Sequence, residues 1–149
     1  MAAQGLQTKS DPTCIFCRIV AGQIPALKIM EDEHALAFLD IGPLAEGHTL
    51  LIPKNHHQDL RDLPASTLAV ISAHLPRLAS AVMRATGATG LNLLQNTGKS
   101  SGQAVFHVHF HLIPRREGDG LGYPWKAGSY TGDTAASWRQ RIVEALPPV

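Results

Sequence analysis

Phe106-His107-Val108-His109-Phe110-His111-Leu112-Ile113-Pro114 is the stretch on which the fold and the chemistry of this chain turn. Apolar and imidazole side chains alternate from Phe106 to Leu112, inside a run from Val105 to Ile113 that reads as one strand. Period two marks a strand, because successive side chains leave opposite faces. His107, His109 and His111 therefore share one face, their Cα atoms spaced by about 7 Å. Phe106, Val108, Phe110 and Leu112 share the other, which is apolar enough to lie on a core. A single histidine in a strand is ordinarily a surface or satisfied residue. Three in a row have no packing reason, so they either bind a metal or act on an anion.

Immediately upstream lies Asn96-Thr97-Gly98-Lys99-Ser100-Ser101-Gly102-Gln103, small and glycine-rich. Glycines let main-chain N–H groups approach phosphate oxygens, and Asn96 and Gln103 add amide donors. Such a loop is most often a plain turn, and it gains meaning from the three histidines that follow it.

Before the loop, Leu91–Gln95 reads as a strand. Leu68, Ile71, Leu75, Leu78 and Val82 fall on one stripe of a long helix, Ala65 to Ala85, kinked at Pro76. Further strands are expected at Leu27–Glu31, Ala35–Asp40 and His48–Ile52, a short helix around Ile15–Val20, and a closing helix at Thr134–Leu146 carrying Trp138 and Ile142. Gly118–Gly128 reads as a glycine-rich loop. Strands joined by short turns, with helices inserted as blocks, give an α+β domain: an antiparallel sheet of about five strands, one long helix and two shorter ones. The division expected is a loose tail over residues 1–12 and one domain over 13–149.

The chain has 149 residues, 44% of them hydrophobic, and a formal net charge of +1. That length suits one domain with a core of its own. The near-zero charge gives no general attraction to nucleic acid or to a membrane surface, and no run approaches the roughly 20 apolar residues a spanning helix needs. Met1 to Asp11 is polar and lacks the apolar core of a signal peptide, so a cytoplasmic location is expected.

The two cysteines, Cys14 and Cys17, stand in C-x-x-C spacing. The spacing is half of a familiar zinc site, which needs two more ligands. A redox role calls for a thioredoxin-like strand before the motif, where this chain has a polar segment. Burial of both as small hydrophobes on a short helix also fits.

Gln103-Ala104-Val105-Phe106-His107-Val108-His109-Phe110-His111-Leu112-Ile113 resembles the signature of the histidine-triad (HIT) family of nucleotide hydrolases and transferases. Cys14 to Ile19, Ile24-Pro25-Ala26, Ala37 to Ile41 and Gly47 to Lys54 resemble the family's opening helix, turn and two central strands in the same order. The match spans about Thr13 to Arg115, and the C-x-x-C is that of its bacterial-type members. The resemblance implies that His109 attacks the α-phosphorus of an AMP-type substrate and forms a nucleotidyl-histidine that water then hydrolyses. It implies that His111 protonates the leaving group, that Asn96 and Gln103 hold phosphate oxygens, and that Asp40 takes the ribose hydroxyls.

The resemblance further implies a purine nucleotide substrate, a homodimer, and a structural zinc held by Cys14, Cys17, His48 and His107. His34, His56, His57 and His74 are then expected at the surface. Ala104 departs from the serine or threonine that some nucleoside phosphoramidases carry on the leaving-group side, which leaves the leaving-group preference open. Two other readings remain at this stage. One is a metal-dependent hydrolase with His107, His109 and His111 as ligands; the other is a nucleotide-binding protein without turnover.

Overall fold

A computed structural model describes residues 9–122 and 127–148. Its centre is a five-stranded sheet in the order β1-β2-β3-β5-β4, built from β1 (Lys28–Glu31), β2 (Ala35–Leu39), β3 (Thr49–Pro53), β4 (Gly90–Gln95) and β5 (Phe110–Arg115). Every neighbouring pair is antiparallel, as expected of the fold.

The sheet is covered on both sides, so its central strands read as continuous apolar runs. On one face Leu36, Phe38, Leu50 and Ile52 pack against Phe16 and Ile19 of α1 (Ile15–Val20). On the other, Ala35, Ala37, Leu51, Val108, Phe110 and Leu112 meet Ile71 of α2 (Ala65–Ser72) and Leu78 of α3 (Leu75–Thr86). Alanines at two helix-facing positions of β2 leave room for helices to approach closely. Ile71 is wholly buried, and truncating such a side chain to alanine typically costs about 2–5 kcal/mol.

The stripe expected of one kinked helix belongs to two. α2 ends at Ser72 and α3 begins at Leu75, with Pro76 in its first turn. Proline is tolerated there because first-turn N–H groups have no intrahelical partner, whereas inside a continuous helix it would remove a bond. At the junction His74 is half-buried, with Nε2 2.6 Å from Oδ2 of Asp32 in the β1–β2 turn.

The histidine strand also starts later than the alternation predicts, at Phe110 and not at Val105. The side chains still alternate from His107 onward. Val108 N–H, however, bonds to the oxygen of His57 at 2.8 Å, outside the sheet. Phe106, expected on the core face, is only half-buried and lines a cavity of about 290 Å³ with Asp11, Thr13, Ile15, Ala104 and Val105.

α4 (Thr134–Glu144) forms where the closing helix was expected, yet none of its residues is buried. Trp138 and Ile142 are exposed, with Arg141 stacked 4.5 Å from the Trp138 ring. Of the loop expected at Gly118–Gly128, residues 123–126 lie outside the described residues, as do residues 1–8 of the expected tail. The rest of that tail is tied down: Lys9 O accepts from His56 N, and Asp11 O from Cys14 N.

Candidate active site and metal centre

His107, His109 and His111 lie on the α1 side of the sheet, opposite Val108, Phe110 and Leu112. The Phe16 ring stands edge-on to His109 at 5.2 Å and to His107 at 5.8 Å, which ties α1 directly to these rings.

The His109 and His107 rings are each oriented by a main-chain oxygen, which can only accept. Nδ1 of His109 is 2.7 Å from the main-chain oxygen of His107. A carbonyl oxygen accepts, so Nδ1 carries the ring hydrogen and Nε2 keeps its lone pair. Burial pushes the His109 pKa below the ordinary 6.5, against the opposing pull of that bond and of the Asp40 charge. His109 is therefore neutral near pH 7, with a free nitrogen. Nε2 of His107 is 2.8 Å from the oxygen of Pro53, which turns the lone pair of its Nδ1 toward Cys14 Sγ and Cys17 Sγ, at 3.5 and 3.6 Å. His107 is fully buried, and burial above all lowers its pKa to about 4.

Cys14, Cys17, His56 and His107 bring their ligand atoms within 4.8 Å of one another. His56 Nδ1 is 3.3 Å from Cys17 Sγ, and its Nε2 is 4.0 Å from Oδ2 of Asp11. A carboxylate behind a ligating histidine is the usual outer partner in such sites. Two thiols and two imidazoles, with the His107 lone pair already aimed inward, form a donor set suited to a tetrahedral metal ion. Cys14 sits at the N-cap of α1 and Cys17 within its first turn.

The structure corrects two expectations here. His48, expected beside the cysteines, has its Nε2 2.9 Å from Nδ1 of His111 and 3.7 Å from Oδ2 of Asp40. His56, expected at the surface, takes its place. Strand register is the cause: Leu50 lies opposite His111 and Thr49 opposite Leu112. An antiparallel partner runs the other way, so His107 faces the far end of β3, beyond which lies His56. His57 is also buried, whereas His34 is exposed.

Asp40, His48 and His111 form a second group of close donors. Leu44 N–H, however, points at Nδ1 of His48 from 3.1 Å, so the His48 hydrogen sits on Nε2 and that nitrogen has no lone pair to offer a metal. Nor do His107, His109 and His111 converge as one ligand set, since the His107 ring serves the cysteines and Nδ1 of His109 is bonded to a carbonyl.

Gln103 differs from expectation too. Its Oε1 accepts from Gly98 N at 2.7 Å, and its Nε2 donates to the oxygens of Gln58 and Val105 at 2.8 and 3.2 Å. The side chain is buried and fully engaged in holding the loop. Asn96 is half-buried beside that loop, its Nδ2 near Gly102. One Asp40 oxygen accepts from Gly42 N at 2.8 Å, and the other faces His48. Sequence reasoning missed His56, the Leu44 N–H and the Pro53 oxygen. The last two are main-chain groups, which carry no sequence signal.

Residues 21–118 match the HIT domain model. The chain belongs to the HIT family. Among HIT relatives, the adenosine 5′-monophosphoramidase HNT1 of Saccharomyces cerevisiae is 48% identical over 137 residues, covering 91% of this chain and 84% of that protein. Adenylylsulfatase HINT3 of Arabidopsis thaliana is 44% identical over 108 residues, or 72% of this chain, which spans only 55% of that longer protein. The crystal structure of a HIT family protein from Bacillus anthracis superposes with a TM-score of 0.85 at 42% identity, covering 93% of this chain and 100% of that one. A Zn-bound histidine triad family protein from Mycobacterium smegmatis superposes with a TM-score of 0.70 at 45% identity, covering 78% of this chain and 84% of that one.

Proposed function

We propose that this HIT-family hydrolase cleaves AMP-type substrates at the α-phosphorus in two steps, with His109 as the nucleophile. The observation that carries the reading is the 2.7 Å bond from Nδ1 of His109 to the His107 oxygen, which leaves a neutral ring with its Nε2 lone pair free. In the first step that lone pair forms a bond to phosphorus while the bond to the leaving group breaks and the leaving atom keeps the electrons. The ring is then cationic, and its Nδ1–H rests on the His107 carbonyl, which steadies the charge. In the second step water attacks phosphorus, the P–N bond breaks, Nε2 recovers its pair, and the extra proton of the water passes to solvent as AMP is formed. Splitting one displacement into two easier ones is the usual gain of covalent catalysis.

Asn96 is the amide donor for a phosphate oxygen, and Asp40 accepts from the ribose hydroxyls. Gln103 acts by holding the loop and does not touch the phosphate. A phosphoramidate, an adenylate and a dinucleoside polyphosphate all have the required α-phosphorus. The relatives' names favour the first two.

We also propose zinc as the ion held by Cys14, Cys17, His56 and His107, in line with the Zn-bound relative. When bound, it fastens α1 to the segment that carries His107 and supplies no catalytic water. Two free thiols suit the reducing cytoplasm. A homodimer is supported by the half-exposed Leu93 on the edge strand β4 and by the uncovered Trp138 and Ile142 of α4.

The test is AMP release from adenosine 5′-phosphoramidate and from diadenosine polyphosphate, with intact-mass detection of a nucleotidyl adduct. Wild type should release AMP and accumulate the adduct on rapid quenching. His109→Ala should lose about three orders of magnitude or more in turnover while still binding AMP. A His109→Ala protein as fast as wild type would overturn the mechanism.

A further inference from the structure

His111 has a buried Nε2 that meets no partner among the described residues. Its other nitrogen ends a chain of directed hydrogen bonds. Leu44 N–H donates to Nδ1 of His48 at 3.1 Å, and a ring nitrogen that receives an N–H cannot itself carry hydrogen. The single hydrogen of His48 is therefore on Nε2, where the Asp40 carboxylate at 3.7 Å also favours it. From there it is donated to Nδ1 of His111 at 2.9 Å. The His111 hydrogen is thus on Nε2, the unpartnered nitrogen on the same face as His109.

We infer that His111 is a neutral hydrogen-bond donor to the leaving atom and not its proton source, and that the enzyme is therefore selective for leaving groups that depart as stable anions. This rests on the nucleotidyl-transfer reading above and narrows its substrate class.

Becoming cationic would require His111 to carry a hydrogen on Nδ1 as well. That hydrogen would meet the Nε2–H of His48 head-on, unless His48 moved its hydrogen to Nδ1 and met Leu44 N–H instead. Either arrangement sets two donors against each other in a buried site, which forfeits a hydrogen bond and strands a polar group. A neutral ring that surrendered its Nε2 hydrogen outright would become an imidazolate, far more basic than the groups it would serve. What remains is a preorganised N–H aimed where negative charge develops, the arrangement of an oxyanion site.

The step balances without proton transfer. The His109 Nε2–P bond forms, the P–O bond to the leaving group breaks, and the leaving oxygen keeps the pair as a carboxylate, sulfate or phosphate. The favoured class is the mixed anhydride of AMP with a carboxylic, sulfuric or phosphoric acid. Phosphoramidates, which the relatives' names favour, should by this inference turn over more slowly than the anhydrides, because nitrogen must collect its proton from solvent.

The experiment is a series of AMP aryl esters, graded from nitrophenols to phenol, with kcat/KM measured on the full chain. Because kcat/KM stops at departure of the first product, it reads the bond cleavage alone. It should fall steeply, by about an order of magnitude for each unit of phenol pKa. A nearly flat dependence would mean that the leaving oxygen receives a proton and would overturn the inference. Nitrogen-15 NMR of the histidine rings at neutral pH should show His48 and His111 both as Nε2–H tautomers; an Nδ1–H form of either ring would equally overturn it. Failure of wild type to release AMP from any ester would remove the reaction itself, a result distinct from a flat series.

Discussion

The main-chain oxygen of His107 holds Nδ1 of His109 at 2.7 Å, while the His107 ring looks the other way, onto Cys14 and Cys17. One residue thus joins the cysteine cluster to the proposed nucleophile, through its side chain on one side and its backbone on the other. Loss of the proposed zinc should act on turnover through the orientation of His109 and not through loss of a metal-bound water.

The ligand set can be read from metal content. His56→Asn and Cys17→Ser proteins should retain much less than one zinc per chain, because removal of a ligand from a closed four-ligand site weakens it severely. His48→Asn should keep its zinc and lose activity instead. Equal zinc loss in His48→Asn and His56→Asn would refute the assignment of His56.

Acid should destabilise the protein in a defined window. His107 and His111 each have a pKa lowered from 6.5 to about 4, by burial above all. Between those values the unfolded chain binds protons that the folded one refuses, so folding stability rises with pH there. The contribution is complete above about pH 6.5 and is lost as the pH falls through about 4. Urea midpoints measured from pH 7 to pH 4 should fall progressively, and more shallowly in His111→Gln. A midpoint independent of pH across this range would contradict the burial of the two neutral rings.

Gln103 should matter for stability before it matters for affinity. Gln103→Leu removes both ends of a buried amide and strands Gly98 N–H and the Gln58 oxygen, at a cost of about 1–3 kcal/mol for each group left unpaired. Thermal melting should report the loss, with turnover falling as the loop loosens. An unchanged melting temperature with a raised KM would restore the direct phosphate role that the sequence suggested.

Among the described glycines, Gly47 is the one least able to accept a side chain. Its φ is +90°, and a Cβ there would stand 2.5 Å from Cγ2 of Thr86 at the end of α3. Gly47→Ala should destabilise by about 2 kcal/mol or more, from the left-handed backbone and the clash together. Adding Thr86→Ser should return part of that loss in a denaturation series. If the single variant melts like wild type, the close approach of the two segments is wrong.

The parts of the fold that could be read from the sequence were those governed by local pattern. α1 and β2 lie where apolar spacing placed them, and the alternation at His107, His109 and His111 correctly put these side chains on one face. What could not be read depended on register or on the backbone. His48 and His56 both flank β3, and only the pairing of β3 with β5 decides which of them reaches His107. The stripe from Leu68 to Val82 gives no sign that the chain turns at Ala73 and His74. Three of the groups that orient the rings, the oxygens of His107 and Pro53 and the N–H of Leu44, belong to peptide units that every residue has.

The cysteine cluster spans a long stretch of chain, since Cys14 and Cys17 meet a ring 93 and 90 residues further on. During synthesis both thiols are made long before His107 exists, so they must remain reduced and unclaimed until nearly the whole sheet has formed. Capture of the proposed zinc would then be a late event in biogenesis, closing a loop whose entropy is lost only once. A cell short of zinc, or oxidising enough to join the two thiols early, would accumulate chains with a finished sheet and an unlatched first helix.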